Sequence, residues 1–195
     1  MVILGGTMKQ AATLTERQIK AVLAHCSTRK HAQRDRTIIM FSFAAGLRAK
    51  EIAALKRSDV LNDHGTVRDE FQLAKIQTKG HKTRRVFIST RLRRELEIYL
   101  KQPPLRVNCP ALFQSQKGSQ FSANTMSQLF LDIYSEIGLI GASSHSGRRT
   151  LITNLAAKGV SVRVLAEIAG HSSISTTQRY IDVNDEQMRA AVELL

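Results

Sequence analysis

The 195-residue chain has no tryptophan, three prolines and two cysteines. Cys26 and Cys109 lie far apart, and neither belongs to a Cys-x-x-Cys or Cys/His spacing. This argues against a disulfide scaffold and a zinc site, and it fits a reducing cytoplasm. There is no repeat and no low-complexity tract, so one continuous domain is expected. No apolar run approaches the roughly 18 residues that a membrane-spanning helix needs. The N-terminal Met1-Val2-Ile3-Leu4 stretch has no basic flank and no long apolar core, so it does not read as a signal peptide. Met8 is a second candidate start.

Acidic residues are also scarce. Asp and Glu total 16 against 29 Lys and Arg, a formal net charge of +13. No acidic cluster is available to hold Mg²⁺, which disfavours a metal-dependent nuclease. A basic surplus of this size points to a polyanion, with nucleic acid as the first choice and an anionic membrane as the alternative. The basic residues are spread along the chain, so they predict a surface made by the fold and not a disordered arm.

What is present has a mostly helical rhythm. Thr15-Glu16-Arg17-Gln18 reads as a capping box, followed by Ile19, Val22, Leu23 and Cys26 at helical spacing. Residues 32–45 are apolar on more than one face, which predicts a buried helix stopped by Gly46. A short helix starts near Ala49. Phe71, Leu73 and Ile76 approximate alternation, and Arg85-Val86-Phe87-Ile88 is a second extended run. Between them Thr78-Lys79-Gly80-His81-Lys82-Thr83 predicts a basic hairpin turn. Helices are expected over residues 90–101, from Ser122 to Gly138, over 145–158, from Ser161 to Gly170, briefly over 173–180, and over 185–195. Leu92, Leu96, Ile98 and Leu100 should face mostly inward. The fold class is mainly α with a small antiparallel β-sheet, α+β. Residues 1–13 read as an extension before a single domain over 14–195.

One set of residues carries chemistry. Arg48, Lys79, His145, Arg148, His171 and Tyr180 combine two arginines, a lysine, two histidines and a phenol. Arginine binds phosphate oxygens bidentately and keeps its charge. Lysine can donate a proton from a cationic site, and histidine titrates near neutrality. A phenol, with an ordinary pKa near 10, needs a base and a cationic pocket to become a nucleophile. At i, i+3 on one helix, His145 and Arg148 share a face.

The order Gly46-Leu47-Arg48-Ala49-Lys50-Glu51, Thr78-Lys79-Gly80, His145-Ser146-Gly147-Arg148, Gly170-His171 and Tyr180 resembles the catalytic domain of the tyrosine recombinases, the integrase family. The resemblance spans residues 14–195. It implies site-specific cleavage and rejoining of double-stranded DNA through a 3′-phosphotyrosyl link, without metal or cofactor. It implies that Arg48 and Arg148 clamp the phosphate and that Lys79 protonates the leaving 5′ hydroxyl. His145 would be the general base or proton carrier, His171 a donor to a non-bridging oxygen, and Tyr180 the nucleophile. Glu51 matches a residue that buttresses the first arginine; the alternative is an exposed helix carboxylate. Lys82, Arg84 and Arg85 read as phosphate contacts, with Lys82 the alternative to Lys79. Arg149 departs from the family pattern, where a second histidine often follows the arginine, and reads as a DNA-backbone contact or a surface charge and not as catalytic.

Arg48 comes early, so the chain resembles short members of the family that lack a separate core-binding domain, such as the fimbrial phase-switch recombinases. An isolated fragment would look similar. The resemblance also implies a homo-oligomer, dimer to tetramer, on DNA, with an accessory DNA-binding protein a further expected partner and no membrane partner. Met188, Ala191, Val192 and Leu195 line one side of the last helix, which packs either in trans on a neighbour or back on its own core. A topoisomerase of type IB and a non-cleaving DNA-binding regulator are the alternative activities, and cytoplasm is the expected compartment.

Overall fold

The computed structural model describes residues 10–78, 83–181, and Met188, Arg189, Val192 and Glu193. Lys79, Lys82 and most of the expected C-terminal helix lie outside the described residues.

The first helix, α1 (Glu16–Thr28), starts where the sequence predicts. The Thr15 hydroxyl accepts from the Gln18 N–H at 3.3 Å, and the Gln18 side chain accepts from the Thr15 N–H at 2.9 Å. The reciprocal pair satisfies two amide donors that the first turn would otherwise leave open; such a cap contributes about 1 kcal/mol. Val22, Leu23 and Cys26 form its buried face, against α2 (Ala32–Ala45) and α6 (Ala123–Glu136). Upstream, the Ala12 N–H donates to the Gly141 carbonyl at 3.0 Å and the Leu14 N–H to Thr150 Oγ1 at 2.9 Å, so the backbone is tied to the domain from Ala12 onward.

α2 is the hub. Ile38, Ile39, Met40 and Phe41 are all buried, which no amphipathic surface helix would allow. Around it pack α1, α3 (Ala49–Ala53), α5 (Thr90–Leu100) and α7 (Ser146–Ala157). Phe41 meets Phe71 and Phe113 edge-on, with ring centroids 6.5 and 5.8 Å apart. Edge-on geometry sets the positive rim of one ring against the negative face of another.

The sheet has two antiparallel strands, β1 (Glu70–Leu73) and β2 (Arg84–Phe87), with Phe71 opposite Val86 and Leu73 opposite Arg84. Its first strand is shorter than the alternation suggests. Ile76 falls in a 3₁₀ turn, Lys75–Gln77, and is 82% exposed. The reason lies in Gln77. Its buried amide accepts from the Ala74 N–H at 2.7 Å and donates to the Ala54 carbonyl and to Asp59, so this local network replaces the ladder. Ile98 is another departure, 51% exposed on α5, where Leu92 and Leu96 alone form the buried face. A short helix α4 (Arg57–Val60), absent from the sequence reading, precedes the sheet.

The remaining helices are α8 (Val162–Ala169) and α9 (Ile174–Gln178). They carry a second, smaller core. Ile152 from α7 packs with Leu165 and Ala169 from α8, and Tyr180 and Ile181 rest against this group. The two cores meet where α7 crosses α2, and Arg48, Glu51, Arg148, His171 and Tyr180 gather at that seam. Gly147 makes the crossing possible. A Cβ there would fall 2.4 Å from Ser42 Oγ and 3.1 Å from the Ser42 backbone carbon, so no larger residue fits between α7 and α2.

Candidate active site

Helix ends build the site. α2 stops at Gly46 in a left-handed cap, and the chain turns so that Arg48 opens α3. α8 stops at Gly170, also left-handed at φ 60°, and His171 follows at once. Gly170 meets a second demand, because a Cβ there would sit 2.3 Å from Cδ of Arg84. The Gly-His pair is thus a tight cap pressed against an arginine side chain.

The terminal carbonyls of these helices lack partners within their own helices and carry the negative end of the macrodipole. Arginines complete them. Arg148, on the first turn of α7, is 3% exposed. Its Nη1 donates to the Gly46 carbonyl at 2.8 Å and its Nη2 to the Ala169 carbonyl, so one guanidinium joins the ends of α2 and α8. Arg84, on β2, donates through Nη1 to the Ile168 carbonyl at 2.6 Å and through Nη2 to Glu51 at 2.8 Å. Glu51 is 1% exposed and also binds Arg48, through Nη1 at 2.8 Å and through the backbone N–H at 2.8 Å. Glu51 is therefore a buried carboxylate that orients Arg48, and the exposed-carboxylate alternative is set aside.

Charge in this pocket is unbalanced. Among the described residues, three guanidiniums, of Arg48, Arg84 and Arg148, face one carboxylate, that of Glu51. Burial, then the charges of Arg48 and Arg84, press Arg148 down to about 9, so it stays cationic at neutral pH. Burial also lowers Arg84, against the opposing pull of Glu51. A buried surplus of positive charge is a standing demand for an anion, and forked guanidiniums match the oxygens of a phosphate.

His171 and Tyr180 stand at the edge of this cluster. Burial first, then Arg148, Arg48 and Arg84, push His171 down to about 4, so at neutral pH it is an uncharged ring. Its Nδ1 lies 2.9 Å from Thr177 Oγ1. The His171 and Tyr180 rings stack, with centroids 5.7 Å apart and planes 15° off parallel. The Tyr180 N–H donates to the Thr177 carbonyl at 2.9 Å, and the Tyr180 carbonyl accepts from Thr153 Oγ1 at 3.2 Å. Ring and backbone are thus both held, and Tyr180 is half-buried on the second core.

His145 is exposed at the cap of α7, one turn before Arg148. Its backbone N–H donates to Ser143 Oγ at 3.3 Å.

One sequence reading needs correcting. Arg84 reads as an ordinary phosphate contact, but its side chain is 6% exposed and bound inside the cluster. Its alternation with Arg85 is the reason: on β2, Arg84 and Val86 face inward while Arg85 and Phe87 face out. That two-residue period was readable from the sequence; which of two adjacent arginines takes the inner face was not. Arg149, expected as a DNA-backbone contact or a surface charge, is half-exposed. Its guanidinium lies 5.4 Å from the Tyr180 ring centroid and meets the Gln10 side chain. A cation over a phenol ring contributes about 0.5–1 kcal/mol at a partly open site. Arg85 does lie on the surface, 63% exposed, beside Glu70 at 2.8 Å and over the Phe87 ring. Sequence reasoning did not single out Thr177, which no motif residue type marks.

Known proteins share this architecture. Residues 12–187 match the family model described as the phage integrase family. Tyrosine recombinase XerA of Pyrococcus horikoshii is 30% identical over 184 residues, covering 93% of this chain and 60% of that protein. Tyrosine recombinase XerD of Neisseria meningitidis serogroup B is 30% identical over 185 residues, covering 92% of this chain and 61% of that protein. The chain therefore spans about three fifths of these relatives. Among solved structures, the catalytic domain of bacteriophage HP1 integrase superposes with a TM-score of 0.62 at 26% identity, covering 94% of this chain and 95% of that one. The Tn1549 transposon integrase in complex with a circular intermediate DNA has a TM-score of 0.77 at 20% identity, over 98% and 68% of the two chains, a likeness of fold. With its helix-end arginines, its Gly-His cap and its C-terminal tyrosine, the chain is a member of the phage integrase family.

Proposed function

We propose that this chain is a tyrosine-type site-specific recombinase acting on double-stranded DNA. The observation that carries the reading is the trio of guanidiniums around Glu51, with the His171–Tyr180 stack at its edge. Such a pocket is preorganised for the charge that grows on non-bridging oxygens, which is usually the largest single contribution to phosphoryl chemistry.

In the step proposed, Tyr180 Oη attacks the scissile phosphorus and the bond to the 5′ oxygen breaks. Arg48 and Arg148 hold the non-bridging oxygens, and neutral His171 donates a hydrogen bond to one of them. His145 takes the phenolic proton. Lys79, in the segment between β1 and β2, gives a proton to the departing 5′ oxygen. The 3′-phosphotyrosyl link conserves the energy of the phosphodiester, so a 5′ hydroxyl of a second strand rejoins by the reverse attack without ATP. Glu51 and Arg84 position Arg48 by sharing the carboxylate.

DNA recognition would draw on Arg85, which lies at the surface, and on Lys82. Exchange between two duplexes requires more than one copy of the chain, so a dimer to tetramer on DNA is part of the proposal, with an accessory DNA-binding protein as a further partner. Integration, excision or inversion of a mobile element in the cytoplasm is the setting this chemistry suits. The XerA and XerD relatives are named tyrosine recombinases, which supports the reading.

The test is a plasmid carrying two copies of the DNA that flanks the gene, treated with the protein in the presence of chelator. The expected result is inverted or deleted product. Relaxed plasmid without exchange would support a topoisomerase instead, and sequence-specific binding with no strand breakage would support a regulator.

A further inference from the structure

We infer that Thr177 is a positioning residue that keeps the His171 proton on Nε2. The inference rests on the proposal above that His171 donates to a phosphate oxygen, and it names a residue that this role requires.

A neutral imidazole has one N–H to place, and its two nitrogens are then one donor and one acceptor. His171 is such a ring at neutral pH, because burial and three guanidiniums disfavour its cation. Thr177 is 0% exposed, and its Oγ1 lies 2.9 Å from His171 Nδ1. Among the described residues, this is the hydrogen bond its hydroxyl makes. If Nδ1 carried the proton, the threonine oxygen would accept it, and the hydroxyl hydrogen would be buried with no acceptor. An unmade hydrogen bond of that kind is disfavoured. The hydroxyl therefore donates to Nδ1, and the ring proton resides on Nε2, within electrostatic reach of Arg148 and Arg48. An Nε2 lone pair there would repel a phosphate oxygen; an Nε2–H attracts it.

Thr177 also touches the nucleophile's backbone. Its carbonyl accepts the Tyr180 N–H at 2.9 Å, so one buried residue fixes the tautomer of the donor and the start of the nucleophile's turn. A β-branched side chain with a restricted χ1 suits that double duty. Serine would keep the hydroxyl, and valine would keep the shape without it.

The experiment has two arms. ¹⁵N chemical shifts of the His171 ring in the full chain without DNA report the tautomer directly, and Nε2–H is expected in the wild type. Nicked duplexes bearing the flanking DNA then report the rate of covalent adduct formation. Thr177→Val is expected to lose the tautomer preference and to slow adduct formation about 10- to 100-fold, the scale found when the partner that orients a metal-bound histidine is removed, with DNA affinity unchanged. Thr177→Ser should restore both. A wild-type Nδ1–H tautomer overturns the inference without any variant, as does a Thr177→Val rate equal to the wild type. Failure of the wild type itself to form an adduct defeats the recombinase reading and this role with it. That outcome is distinct from a wild-type adduct that ignores Thr177.

Discussion

Replacing Arg148 by alanine is expected to slow DNA cleavage by about 10³-fold, the scale set by loss of a charged transition-state clamp. Stability should change far less. The side chain is 3% exposed and bridges the carbonyls of Gly46 and Ala169, so its removal leaves two helix ends short of donors. Each such loss costs about 1–3 kcal/mol. Against this, burial disfavours the Arg148 cation, and the field of Arg48 and Arg84 adds to that penalty. Deleting it relieves both. The expected outcome is a protein within about 2 kcal/mol of wild-type stability that binds DNA and barely cuts it, since functional sites hold groups that folding alone would not favour. Arg148→Lys keeps the charge but loses the fork that spans two carbonyls, and should recover little of the rate. Urea unfolding beside single-turnover cleavage separates the two effects. Near-normal cleavage by Arg148→Ala would remove this residue from the site.

The reverse pattern is expected at Glu51. Its carboxylate is 1% exposed and neutralises parts of two guanidiniums, Arg48 and Arg84, at 2.8 Å each. Glu51→Ala leaves both cations without a counter-charge, and breaking a buried pair from one side costs about 3–5 kcal/mol. At about 2–4 °C per kcal/mol for a domain of this size, the melting temperature should fall by roughly 10 °C. Activity should fall as well, because Arg48 loses the partner that aims it. Removing Arg84 together with Glu51, as Glu51→Ala/Arg84→Met, deletes one of the stranded charges. Arg48 is 20% exposed at its side chain and can turn to water. The double variant should therefore be more stable than Glu51→Ala alone, and thermal unfolding of the set measures this coupling. A double variant that is less stable by the sum of both losses would show that Glu51 and Arg84 act independently.

These two residues also mark how far the sequence reads. Residue types that recur at fixed spacing were legible: the capping box at Thr15, the buried helix ending at Gly46, the stop at Gly170, and the order of Arg48, Arg148, His171 and Tyr180. Those signals are local in the chain. The structure brings Arg48, Glu51, Arg84, Arg148, His171 and Tyr180 to one seam, and the long-range part of that arrangement was not local. Arg84 looked like any basic residue near a basic turn until the β1–β2 register turned it inward. Ile76 looked like a strand residue because the buried amide of Gln77 has no signature in an apolar/polar pattern. Thr177 carried no signal, since a threonine six residues from a histidine means nothing until a short helix folds one onto the other. Gly147 gained meaning only when α7 met Ser42 on α2. For Arg84 and Gly147, contact between distant segments decided the side chain's role; for Ile76 and Thr177, a short-range hydrogen bond did, of a kind that apolar/polar periodicity does not mark.

The most direct measurement is of the bond itself. Wild type and Tyr180→Phe are incubated, with chelator present, on nicked suicide duplexes taken from the DNA flanking the gene, and denaturant-resistant protein–DNA adducts are digested and mapped by mass. The expected result is one adduct, on the peptide containing Tyr180, joined to a 3′ phosphate and absent from the variant. An adduct on another residue, or one that persists in Tyr180→Phe, would contradict Tyr180 as the nucleophile, and specific DNA binding without any adduct would contradict strand cleavage by this chain.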